Sequence, residues 1–193
     1  MRGQRQTRYA GNALVLAALG RKLGEHGHYD NAVRCVRASL KVCPDGALYV
    51  LLANMCTSRK DADGWLAALE EYLKTEDTGL GHAQVRMQIA QHFMKKKEWE
   101  RAKPYADAAA ASGAAWALRC AADCYEGLKD WETPERLMRS RSDRYDTCRA
   151  DWFLWCVRTG HGDRQAAERL AADWIEEQRG SRDRGRLLYA MAY

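Results

Sequence analysis

The sequence predicts an all-α chain of antiparallel helix pairs stacked into a solenoid. Two regularities predict it. An aromatic residue follows a polar turn at Tyr29, Trp65, Trp99 and Trp131, at spacings of 36, 34 and 32 residues, and three residues beyond each stand Ala32, Ala68, Ala102 and Pro134. Upstream of each aromatic runs a helical stripe with its small residue in a constant slot. These stripes are Leu16, Leu19, Gly20, Leu23; Tyr49, Leu52, Ala53, Cys56; Ile89, Ala90, Phe93, with Arg86 in the first slot; and Leu118, Ala121, Ala122, Tyr125. Large, large, small, large at i, i+3, i+4, i+7 draws one apolar stripe along a helix. The small side chain lets a neighbouring helix come close. A period near 34 residues is the mark of helical hairpins that stack on one another.

The elements follow in order. Residues 1–12 read as a short basic tail. Residues 13–46 form the first pair, its helices meeting at the turn before Tyr29. Residues 46–80 form the second, with a turn from Ser58 to Gly64 that is three residues longer than the others. Residues 83–113 form the third, with Ala102, Ala106 and Ala109 at close contacts. Residues 115–145 form the fourth. There Pro134 replaces the expected alanine and predicts a late start or a kink in the second helix. Residues 148–180 form a fifth pair on Gly162, Ala167, Ala171 and Trp174, its first-helix register open around Trp152 to Cys156. Residues 184–193 read as a lone helix with almost no polar face, through Leu187, Leu188, Tyr189, Met191 and Tyr193. A terminal repeat needs a polar outer surface. This segment is therefore expected to be the first helix of a truncated sixth repeat, or a route to self-association.

These residues resemble the tetratricopeptide repeat (TPR). Its 34-residue motif has bulky residues at the fourth, seventh and eleventh positions, small ones at the eighth and twentieth, and proline near the thirty-second. Residues 13–46 follow it through Leu16, Leu19, Gly20, Leu23, Tyr29, Ala32 and Pro44, with Ser39 where alanine is usual. The stretch from Gly79 to Glu132 also looks like uncharacterised bacterial TPR proteins. The resemblance implies a right-handed superhelix whose first helices line a concave, peptide-binding face. The positions it assigns to that face include Arg21, Glu25, Asn54, Gln84, Met87, Gln91, Lys95, Trp116, Arg119, Asp123 and Glu126. Exposed aromatic, methionine and arginine residues are what protein interfaces enrich. Chaperone-binding TPR domains hold a C-terminal carboxylate with several cationic and amide groups. The matching positions here are Ala17, Arg21, Leu51, Gln84 and Gln88, or one repeat later Val50, Asn54, Gln88, Trp116 and Cys120. Neither set can do that.

Charge and cysteine usage narrow the function. The chain has 193 residues and a net charge of +5, and all of the excess lies in residues 1–24, as Arg2, Arg5, Arg8, Arg21 and Lys22 without an acid. The remainder balances 26 basic against 26 acidic residues. A phosphate-binding surface needs clustered cations, so no nucleic-acid partner is expected. Residues 1–24 mimic a targeting signal, but the apolar stretch from Ala13 to Leu19 is short and Arg21-Lys22 follows it where a cleavage site would stand. No apolar run approaches the ~18 residues of a membrane span. Seven cysteines without a CxxC pair point to a reducing compartment, and so to the cytoplasm. Cys120 and Cys124 share a helix face, but no finger-spaced partners complete a zinc site. No GxSxG, P-loop, HExxH or glycine-rich phosphate loop occurs. The expected role is non-catalytic protein–protein interaction, without metal or cofactor, through a peptide or protein partner. The alternative is a regulatory or targeting TPR segment of a larger protein or enzyme.

Overall fold

The structure is a computed structural model and describes residues 2–77 and 79–177. Among the described residues there are ten α-helices and no strand. They pair in chain order: α1 (Arg2–Glu25) with α2 (Tyr29–Val42), α3 (Gly46–Ser58) with α4 (Ala62–Tyr72), α5 (Leu80–Lys95) with α6 (Trp99–Ala110), α7 (Ala115–Gly127) with α8 (Glu132–Arg144), and α9 (Arg149–Thr159) with α10 (Arg164–Glu177). A single 3₁₀ turn, Asp146–Cys148, precedes α9.

Three expectations need correction. The basic tail of residues 1–12 is not a tail from Arg2 onward, because α1 begins there. Its residues are mostly good helix formers, and no proline interrupts them. The second pair has no longer turn. Asp61 caps α4 by accepting the Gly64 N–H at 2.8 Å, so the three added residues extend the helix one turn ahead of Trp65. Pro134 causes no late start. It sits in the first turn of α8, where its missing N–H would have had no intrahelical partner. Asp130 caps that helix from outside, accepting the N–H groups of Glu132 and Thr133 at 3.1 Å and the Thr133 hydroxyl at 2.7 Å. The lone helix 184–193 and the end of the fifth repeat lie outside the described residues.

Every turn inside a pair contains a residue in the left-handed region. These are Gly27 (φ 78°), Lys60 (59°), Lys97 (61°), Lys129 (64°) and Gly160 (73°). That conformation closes the first helix and turns the chain back. Glycine reaches it without strain, whereas lysine does so at a cost.

The chain divides into two compact units, Met1–Val85 and Arg86–Tyr193, and the division falls within α5. In the first unit, α1 packs on α2 and α2 on α3. The α1–α2 approach depends on Gly20, where a Cβ would lie 2.7 Å from Val36 Cγ2 and 3.2 Å from the Ala32 carbonyl oxygen. Ser39, in the usual alanine slot, is buried and donates its hydroxyl to the Ala13 carbonyl at 2.8 Å. The polar substitution is thus satisfied rather than solvated. Gly46 backs onto the Tyr72 ring in the same manner.

In the second unit, alanine builds the close seams. Ala102, Ala106 and Ala109 of α6 and Ala121 and Ala122 of α7 are fully buried. A Cβ on Gly127 would run into the Trp99 indole. The last two pairs add a bulky cluster of Met138, Trp152, Phe153, Trp155, Trp174 and Ile175, with Ala122, Ala150, Ala167 and Ala171 packed among them. The open first-helix register of the fifth repeat is thereby set, since Trp152, Trp155 and Cys156 all face the interior. Polar ties join helices both within and between the pairs. Tyr145 donates its hydroxyl to the Gly113 carbonyl at 2.9 Å, Arg141 donates to the Ala115 carbonyl at 3.0 Å and pairs with Asp151, and Arg149 reaches Glu177 at 2.8 Å.

Candidate functional site

The site is built on first helices. In α7, packing fills the face of Ala117, Leu118, Ala121 and Ala122. At helical spacing on the other side stand Trp116, Arg119 and Asp123. Trp116 is 37% exposed, a large apolar surface for an indole on a packed helix. Arg119 Nε donates to Asp123 Oδ1 at 2.8 Å, and both side chains are partly exposed. Burial pushes the Asp123 carboxyl up, while Arg119 and Arg158 pull against it. A partly desolvated carboxylate with acceptor capacity left is suited to take a donor from a partner.

The second unit's part of α5 adds Met87, half-buried, with Gln91 and Lys95 exposed. In the first unit's part, Gln84 is exposed. On α3, Asn54 is exposed and its carbonyl accepts the Ser58 hydroxyl at 3.2 Å. On α1, Glu25 is exposed and paired with Lys22 at 2.7 Å, and Arg21 is exposed. Arg21 lines a cleft of about 360 Å³ together with Ala13, Leu14, Ala17, Cys43, Asp45 and Leu48. Ala17, which the register places on the outward stripe, is buried. Cys43 and Asp45 lie between helices, where a first-helix register assigns nothing.

Glu126 departs from its expected role. Its carboxylate accepts Trp155 Nε1 at 2.7 Å and the Arg158 guanidinium at 2.7 and 2.8 Å. The side chain ties α7 to α9 and has little capacity left for a ligand.

Five of the seven cysteines, Cys56, Cys120, Cys124, Cys148 and Cys156, are buried core residues. Burial raises the thiols of Cys120 to about 12, and of Cys124 and Cys156 to about 11, so they stay protonated at neutral pH. Among the described residues, no group of three His, Cys, Asp or Glu side chains is placed to hold a metal ion. No described helix is long and apolar enough to cross a membrane.

No protein-family model matches the chain, and no curated protein matches it. Solved structures do. MamA 41-end from Desulfovibrio magneticus RS-1 is similar over 89% of this chain and 97% of its own, with a TM-score of 0.59 at 16% identity. The MamA RS-1 ArsTM double mutant is similar over 87% of this chain and 95% of its own, with a TM-score of 0.60 at 16% identity. TTC0263, a thermophilic TPR protein of Thermus thermophilus, matches over 94% of this chain and 100% of its own, with a TM-score of 0.46 at 16% identity. The fold is all-α, a run of antiparallel helix pairs like that of the MamA structures. At these identities the likeness concerns the fold alone.

Proposed function

We propose that the chain is a non-catalytic interaction scaffold that holds a peptide or protein segment on the outward faces of its first helices. The observation that carries this reading is the α7 face, where a partly exposed tryptophan stands beside an Arg119–Asp123 pair on a helix whose other side is packed. Trp116 offers area to an apolar side chain. Arg119 offers donors to a carboxylate, and Asp123 accepts from an amide or a cation. Within the second unit Met87, Gln91 and Lys95 on α5 add to the set, while Arg21, Glu25, Asn54 and Gln84 are candidate contacts of the first unit by itself. Glu126 acts as a structural tie and drops out of the binding set. The even charge balance beyond residue 24 favours a protein partner over nucleic acid. The free thiols favour a cytoplasmic setting. Self-association through residues 184–193 stays within this reading as a separate contact.

The test is affinity capture with wild type and with the double variant Trp116→Ala, Arg119→Glu, matched for thermal stability. Recovery of the captured protein is expected to fall at least about tenfold, the size of one lost interface anchor. Equal recovery by both proteins rejects the site.

A further inference from the structure

The second helix of the first pair carries a row of cations that the ion pairs of the described residues leave out. Packing buries Ala32, Val33, Val36, Ser39 and Leu40 of α2, while Arg34, Arg37 and Lys41 stand exposed at i, i+3 and i+7. Within α2 no acid lies three or four residues from Arg37 or Lys41, so the row repels itself. Asp30, the one acid of the helix, is engaged by Arg59 at 3.0 Å. Elsewhere such cations are matched, Lys103 by Asp107 and Arg119 by Asp123, each four residues on.

Two of the three border a groove. Arg37 and Lys41 line an opening of about 380 Å³ between α2, α3 and α4. Its buried lining is aliphatic, made by Leu40, Leu52 and Ala68. α4 keeps the groove open by lining it with small residues, Gly64 and Ala67. Glu71, the one acid of the lining, is held by Lys74 at 2.5 Å. The second unit treats the equivalent positions differently. Counted from Ala32, Ala68, Ala102 and Pro134, Asp107 stands where Arg37 does and Leu137 where Glu71 does. Asp107 accepts from Lys103 and from the Tyr125 hydroxyl, both at 3.1 Å, and Leu137 packs against the core. The cationic groove therefore belongs to the first unit and is not a general property of the repeat.

Charge and size state the occupant. Two unpaired cations beside an acid that is already neutralised call for carboxylates. The opening is smaller than one turn of an α-helix, about 10–12 Å across and 5.4 Å in pitch, so it admits side chains of an extended segment and not a helix. Along an extended segment, side chains on one face recur about every 6.6 Å. α2 sets Arg37 and Lys41 about 6 Å apart along its axis, and Arg34 continues the row about 4.5 Å further. A row of that length suits a string of acids better than a single carboxylate. Single-stranded nucleic acid is held by aromatic platforms, and the lining offers only the half-buried Tyr49.

We propose that the groove between α2, α3 and α4 docks an extended acidic segment of a protein partner, with an aliphatic side chain on Leu40, Leu52 and Ala68 and successive carboxylates on Arg37 and Lys41. It shares no residue with the first-helix binding set, so the two readings fail independently.

The probe is a fluorescein-labelled peptide of about nine residues with one leucine, glutamates two and four residues beyond it, and serine elsewhere. Fluorescence anisotropy with the full chain is expected to show saturable binding that added salt weakens. Lysine for glutamate, or alanine for leucine, should each weaken it at least about tenfold. Arg37→Gln with Lys41→Gln should do the same at unchanged melting temperature, since both side chains are exposed and glutamine keeps the helix propensity. Ala67→Glu puts a charge at an exposed position of the lining and should also weaken binding, with an unchanged far-UV spectrum. Arg37→Glu with Lys41→Glu should make the lysine peptide the tighter binder, a reversal that loss of folding cannot imitate. Absence of saturable binding overturns the proposal, as does equal binding of the glutamate and lysine peptides, equal binding of the leucine and alanine peptides, or undiminished binding by the glutamine variant. A thymidine oligonucleotide that binds more tightly than the peptide, and is lost in the glutamine variant, overturns it in favour of single-stranded nucleic acid.

Discussion

Alanine at Gly20 and alanine at Gly24 should change stability in opposite directions, although the two sites are one turn apart on the same helix. An alanine for glycine in a helix interior ordinarily gains about 1 kcal/mol. At Gly20 the new Cβ would stand 2.7 Å from Val36 Cγ2 and 3.2 Å from the Ala32 carbonyl oxygen. Neither neighbour can yield cheaply. Val36 is β-branched and held to one rotamer in its helix, and the oxygen belongs to the α2 backbone. Overpacking of this kind costs about 1–3 kcal/mol, so Gly20→Ala should lose about 1 kcal/mol net. At Gly24 the first obstacle is the Met55 terminal methyl at 2.9 Å, and the next atoms are at 3.9 Å. A methionine tail swings aside. Gly24 lies next to the helix end, so the net gain should be about 0.5 kcal/mol. The two variants should then differ by roughly 1.5 kcal/mol, about 3–6 °C in melting temperature for a chain of this size. Urea and thermal titrations followed by far-UV circular dichroism read this directly. If Gly20→Ala melts at or above Gly24→Ala, the close α1–α2 crossing is wrong.

Three further outcomes follow from the geometry. Asp130→Ala should cost about 0.5–2 kcal/mol at neutral pH through loss of the α8 cap. The bonds from Thr133, chiefly its hydroxyl, hold the Asp130 carboxyl below its ordinary value. Its contribution is therefore complete above the unfolded-state value and is lost as pH falls through the lower folded one, so the wild type–variant gap should close below about pH 4 in acid titrations. Lys97→Gly should raise stability by about 0.5–1 kcal/mol, because it relieves a left-handed residue in the α5–α6 turn; a lower melting temperature would contradict that conformation. Native-state thiol titration at pH 8 should show Cys43 reacting first, since it is exposed, while Cys56, Cys120, Cys124, Cys148 and Cys156 react only on unfolding; fast labelling that persists in Cys43→Ser would refute this order.

The helix pairs were legible in the sequence because each rests on a local rule. Aromatic residues at a steady period, a small residue in a fixed slot and a polar turn between them mark the first four pairs along the chain. The failures came where a local rule met a non-local one. At Ser58 to Gly64, three added residues could lengthen either the turn or the helix. Asp61 decided for the helix by offering a cap. Residues 1–12 carry no core stripe, so pattern alone made them a tail, while helix propensity carried α1 through to Arg2. Leu19 fits the core stripe, but its burial in the other repeats depends on a preceding second helix, and none of the described residues supplies one.

The candidate site was legible only in part, and Glu126 shows why. A register along one helix tells which way a side chain points, but not what reaches it from the next pair. Its partners Trp155 and Arg158 lie 29 and 32 residues on. A signal for the tie was nevertheless present. Trp155 occupies the seventh-position core slot of its repeat, and a buried indole N–H needs an acceptor. The neighbouring first helix, one repeat earlier, presents two carboxylates toward that side, Asp123 and Glu126. Asp123 already had a cation one turn away at Arg119, which left Glu126 as the acceptor. The pairing could have been deduced by asking where the buried Trp155 sends its N–H. The same question separates the two acids by role: the carboxylate spent on holding α7 to α9 is structural, and the one beside Arg119 is the better placed to meet a partner.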